Sequence, residues 1–163
     1  VKIIKLKIKG KSMNKQKGFT LVELLVVIAI IGLLSAVGVV SVGNIREKGR
    51  DVRRISDIDA LKTAMDMVNN EYGSYQKDLG CGVGAILSTC VGGKLEESLP
   101  NIKNMKDPSG TIACSQDCTK SCDYSFTALA DNTYEALFYL EKGAGMFKDT
   151  GCYKVTNKGI EKK

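Results

Sequence analysis

The sequence predicts an α+β chain in which one long N-terminal α-helix packs on a small C-terminal antiparallel β-sheet. The first half of that helix is expected to span a membrane and the second half to be amphipathic. Three observations carry the expectation. Residues 24–42 form a run of 19 residues without a charge. After it, Ile55, Ile58, Leu61, Met65, Val68 and Tyr72 recur at intervals of three and four, giving one apolar stripe on a helix. Near the C-terminus, "YSFTAL", "TYEALFYLEK" and "CYKV" are rich in β-formers and are separated by turn residues.

Taken in order, the first element is a basic leader, residues 1–18. Its seven charged residues are all lysines, while the whole chain carries a net charge of +6. Basic and acidic side chains balance beyond residue 43, so the excess charge lies in the leader. A general basic surface for nucleic acid is therefore not expected. The absence of histidine excludes Ser-His-Asp and Cys-His catalysis and His-containing zinc sites. No catalytic constellation is evident, and the chain reads as a non-enzyme.

Residues 19–43 form the second element. A run of 19 apolar residues suffices to cross a hydrocarbon core of about 30 Å, and a lysine-only flank predicts a cytoplasmic N-terminus. A secretory signal peptide would have a shorter apolar region, and a plain anchor would give Glu23 no role. Gly32, Ser35 and Gly38 place small side chains three apart on the helix, a pattern that lets helices approach closely in lipid.

The extracytoplasmic domain is expected over 44–163, with helix to about 72, loop over 73–123 and sheet over 124–156. The remaining charged residues of the helix, Arg50, Arg54 and Asp57 among them, are expected on faces other than the apolar stripe. Gly73 is a natural C-cap, and Asp107-Pro108-Ser109-Gly110 is a natural β-turn. Tyr134, Ala136, Phe138 and Leu140 alternate onto one face that can cover the helix stripe.

All six cysteines, Cys81, Cys90, Cys114, Cys118, Cys122 and Cys152, follow the apolar run, which suits disulfides in an oxidising exterior. Cys81 and Cys90 are near enough to close a local loop, and Cys152 needs a long-range partner within 114–122. The Cys-x3-Cys-x3-Cys spacing matches neither a zinc nor an iron–sulfur pattern, so no metal is expected there.

Lys17-Gly18-Phe19-Thr20-Leu21-Val22-Glu23, followed by the apolar run, resembles the class III signal of type IV pilins and type II secretion pseudopilins. The resemblance implies cleavage by prepilin peptidase between Gly18 and Phe19 and N-methylation of Phe19. It also implies that Glu23 neutralises the terminal amine of a neighbour during assembly into a helical filament on an inner-membrane platform. The stretch 13–18 resembles the family's short leader, which places translation start at Met13. "DIDALK", "NNEYGSY" and "DPSG" resemble the secretion-type major pseudopilin in particular, while 77–98 has no counterpart. Some members bind calcium, but Asp117, Asp123, Asp131 and Asp149 form no matching loop motif, and no cofactor is expected. The competing expectation is a membrane-anchored or secreted, disulfide-stabilised binding domain.

Overall fold

The computed structural model describes residues 18–116 and 118–163; the side chains of 37–41 also fall outside the described residues. The expectations for residues 1–17 of the leader and for the surroundings of Gly38 lie outside them. The chain divides after Val40 into two compact units.

Helix α1 runs over Leu21–Tyr72. Its C-terminus is set as the sequence predicts, with Gly73 at φ +69° and its N–H donating to the Asn69 carbonyl at 2.8 Å. In the second unit the apolar stripe is the core-facing side of the helix. Ile58, Leu61, Met65 and Val68 are fully buried, and Ile55 and Tyr72 at its two ends are partly covered.

Between helix and sheet the chain makes two 3-10 turns, Leu87–Thr89 and Ile102–Asn104, and a short helix α2, Lys94–Ser98. Each places one apolar anchor in the core: Leu87, Ile102 and Leu95 respectively. The loop folds back so tightly that a Cβ on Gly93 would collide with the Gly80 backbone.

The sheet is an antiparallel meander of β1 (Ser125–Ala130), β2 (Thr133–Leu140), β3 (Gly151–Thr156) and β4 (Gly159–Lys162), in the order 1-2-3-4. Tyr134, Ala136, Phe138 and Leu140 are all fully buried in the cluster that holds the helix stripe, as their alternation predicts. Register pairs Ala136 with Phe126 on one side and Val155 on the other, and Phe138 with Tyr153. Leu137 faces the other way and packs with Cys114 and Cys122. Strand β4 was not expected, because four residues with Glu and Lys at one end carry no alternation to read. The signal for it is the Asn157-Lys158 turn, closed by Gly159 at φ +133°.

The expectation for the charged residues of α1 is corrected at Arg54, which is fully buried, as is Asp51. A guanidinium offers five donors, and burial is tolerated only when acids and hydroxyls accept them. Here Arg54 donates through Nε and Nη2 to Asp107, at 2.5 and 2.9 Å, through Nη1 to Asp51 at 2.8 Å, and through Nη2 also to Glu141 at 2.8 Å. Asp51 in turn accepts the backbone N–H groups of Glu141, Lys142 and Gly143 at 2.7–2.9 Å. Asp107 accepts those of Ser109 and Gly110, which makes the DPSG turn an Asx turn rather than a purely backbone one. Arg50 adds a two-pronged contact to Glu141.

Two outcomes follow from that network. Arg54→Leu leaves Asp51 and Asp107 buried without a countercharge, so the disulfide-intact domain should lose about 3–5 kcal/mol in chemical denaturation. Hydrogen bonding to Arg50, and after it Arg54 and Ser109, outweighs burial and holds the Glu141 carboxyl at about 2, below its ordinary 4.5. A depressed folded-state value stabilises the fold above the ordinary value and is lost as pH falls through the folded one. Burial opposes and Arg54 reverses it at Asp107, whose carboxyl is also lowered. Denaturation midpoints should therefore fall progressively between pH 4.5 and about 2, and Arg54→Leu should flatten that slope.

Candidate assembly segment

The first unit is described from Gly18. The chain enters α1 through Gly18-Phe19-Thr20, and the helix begins at Leu21 with Glu23 in its first turn. A helix start leaves its first backbone N–H groups without intrahelical partners, and a Thr-x-x-Glu sequence can satisfy two of them reciprocally. Thr20-Leu21-Val22-Glu23 does so. The Glu23 N–H donates to Thr20 Oγ1 at 3.2 Å, while Glu23 Oε2 accepts the Thr20 N–H and hydroxyl, each at 2.8 Å. Within its own chain the Glu23 carboxylate is therefore hydrogen-bonded by neutral Thr20 groups. The capping box is readable in the sequence from Thr20 and Glu23 at a spacing of three.

Along the described part of the run, apolar side chains are exposed in every direction, from Phe19 at 85% and Leu21 at 77% to Leu33 at 72%. A helix apolar all round is stable only against other apolar matter. A Cβ on Gly32 would meet nothing within 4 Å, so no contact inside the chain requires glycine there. Ser35 turns its hydroxyl back to the Ile31 carbonyl at 2.7 Å and so presents a small, satisfied surface. Among the described residues no helix is long and apolar enough to cross a membrane.

The cysteines pair as Cys81–Cys90, Cys114–Cys122 and Cys118–Cys152. The first closes the local loop, and Cys152 finds its partner within 114–122, as expected. The Sγ atoms of Cys114, Cys118 and Cys122 lie within 4.8 Å of one another, yet each is consumed in a disulfide. The carboxylates weighed for calcium have separate partners. Asp123 accepts the N–H groups of Asp107 and Tyr124, Asp131 accepts Ser74 and Gln76, and Asp149 lies 3.6 Å from Lys162. Asp117 lies outside the described residues.

Residues 13–39 match the family model described as a prokaryotic N-terminal methylation motif. The chain is similar to type II secretion system core protein G of Pectobacterium carotovorum subsp. carotovorum, 40% identical over 73 residues, 43% of this chain and 47% of that one. It is similar also to fimbrial protein Q of Moraxella bovis, 46% identical over 54 residues, 33% of this chain and 34% of that one. Core protein G of Escherichia coli K12 is 44% identical over 57 residues, 35% of this chain and 39% of that one. The chain thus matches less than half the length of each of these relatives. No solved structure matches.

Thr20→Val removes the side-chain half of the capping box. It should weaken the first turn by about 0.5–2 kcal/mol, read as faster amide hydrogen exchange at residues 21–24 in the detergent-solubilised chain.

Proposed function

We propose that the chain is a structural filament subunit, a reading supported by the likeness of its N-terminal segment to a methylation motif, to type II secretion system core protein G and to fimbrial protein Q. It is inserted with its N-terminus in the cytoplasm, and prepilin peptidase cleaves it between Gly18 and Phe19. Phe19 is methylated, and the chain polymerises through its N-terminal helix on an inner-membrane assembly platform. The product is a type IV pilus or a type II secretion-type pseudopilus on the extracytoplasmic side. The observation that carries the reading is the methylation motif over 13–39, with Gly18, Phe19 and Glu23 at the family's spacing.

The physics of the first unit supports it. Side chains exposed all round an apolar helix need lipid before assembly and other helices after it. Glycine inside a helix costs about 1 kcal/mol relative to alanine. At Gly32, with open space around it, that cost is explained by a neighbouring helix coming close. Gly32, Ser35 and Gly38 are the packing positions on this reading, and the disulfide-linked domain is the part displayed outside.

Glu23 acts by exchanging partners. In the isolated chain its carboxylate is held by Thr20. In the filament the charged amine exposed by cleavage on a neighbouring Phe19 replaces a neutral donor, and a charge-assisted hydrogen bond is the stronger of the two. The processed chain should have an intact mass matching cleavage before Phe19 with one added methyl group. Cleavage after Ala36, or none, would support the anchored or secreted binding domain instead. Glu23→Ala should insert and be cleaved like the parent yet yield few filaments in a shearing assay. Normal filament yield would show that Glu23 has no part in docking.

A further inference from the structure

The side of α1 turned away from the core in the second unit carries two charged strips. Arg46 and Arg53 are seven residues apart, as are Asp59 and Asp66. Residues seven apart return to within about 20° on a helix, so each pair forms one strip along the axis. Arg46 to Asp59 and Arg53 to Asp66 are both steps of thirteen, which sets the strips about 140° apart around α1. Between them lie Ile45 and Val52, exposed at 65% and 58%. The buried stripe of Ile58, Leu61 and Met65 lies on the opposite side.

Inside the chain these charges are weakly engaged. Arg46 and Asp59 are exposed and have no ion pair among the described residues. Arg53 reaches Asp57 at only 3.8 Å, with 57% of its side chain exposed. Asp66 pairs with Lys62 at 2.6 Å, both side chains being half-buried, at 39% and 31% exposed. Pairs of this kind contribute little to stability.

We propose that the Arg46–Arg53 strip of one copy docks on the Asp59–Asp66 strip of the next, with Ile45 and Val52 flanking the contact. The proposal rests on the filament-subunit reading and names the partner surface of the displayed domain. Strips on different sides of one helix make a head-to-tail contact that repeats without closing, as a fibre requires. A self-complementary patch would close into a dimer. Bringing Asp59 level with Arg53 or Arg46 of a parallel neighbour needs a displacement of six to thirteen residues, about 9–20 Å at 1.5 Å per residue. The sense of displacement matches the Glu23 contact. In both, an acid of one copy meets a positive group that lies earlier in the sequence of its neighbour.

The test is a charge exchange in the full-length chain, read as sheared filament per cell. Arg46→Glu with Arg53→Glu should lower the yield at least about tenfold, and Asp59→Lys with Asp66→Lys likewise, because like charges then face each other. The four substitutions together should restore the yield to within about threefold of the parent, because the complementarity is re-formed with its sign reversed. Protease resistance of the disulfide-linked domain should be unchanged in all three, since Arg46, Arg53 and Asp59 are exposed and the half-buried Asp66 keeps 39% of its side chain open to solvent. Parental yield in both double variants overturns the proposal. So does a quadruple variant as poor as the doubles; that result assigns the basic strip to another anion, such as a lipid headgroup. A processed parent that forms no filament at all overturns the subunit reading and this contact with it.

Discussion

The second unit depends on one buried cation. Arg54 sits on the core-facing side of α1, and every segment that meets it there contributes an acceptor: Asp107 from the DPSG turn, Glu141 from the end of β2, Asp51 from one turn earlier. Hydrophobic packing of Ile58, Leu61 and Met65 against Phe126, Phe138 and Leu140 is non-directional and would tolerate small slides of helix over sheet. Arg54 does not tolerate them. Its bidentate contact to Asp107 and the three backbone N–H groups gathered by Asp51 fix the helix in register and azimuth against the loops. Burying such a cluster adds little net stability compared with an apolar core of the same volume, so its contribution is a unique arrangement. For a domain that presents charged strips at defined angles, arrangement is what matters.

The disulfides complete that logic where the core is thinnest. Among the described residues of 73–123 the regular elements are short turns and α2, each with one buried anchor, and Tyr75, Leu79 and Met105 are buried between them. Cys81–Cys90 closes the part that folds back on Gly80 and Gly93, while Cys118–Cys152 ties the loop after DPSG to β3. Each cross-link removes freedom from the unfolded chain, which a long loop would otherwise retain.

What was legible in the sequence was periodic. The stripe from Ile55 to Tyr72 and the alternation from Tyr134 to Leu140 are averages over many residues, so they survive local exceptions and place helix, sheet and core together. The DPSG turn and the Gly73 cap were legible because each rests on a residue with a distinctive backbone preference. Arg54 was not, because its neighbours in the network lie 53 and 87 positions away and a burial-blind reading assigns every arginine to solvent. Strand β4 was missed for a related reason. A four-residue edge strand is held by its register with β3, from Tyr153–Lys162 to Thr156–Gly159, and owes little to its own composition.

Glu23 shows how a motif and a local interaction can occupy the same residue. As a lone carboxylate beside an apolar run it would be costly in lipid, and that cost by itself would push the helix towards any available amine. The Thr20 capping box changes the balance, because the carboxylate already accepts two hydrogen bonds at the helix start. Its first-turn position is favourable for a negative charge as well. On the proposed reading, docking turns on the difference between two hydrogen-bonded states of that carboxylate. Thr20 is a neutral donor, so the carboxylate keeps its charge uncompensated until a charged amine takes the place of that donor. On the same reading, the packing positions Gly32, Ser35 and Gly38 and the charged strips beside Ile45 and Val52 are where further contacts between copies would form.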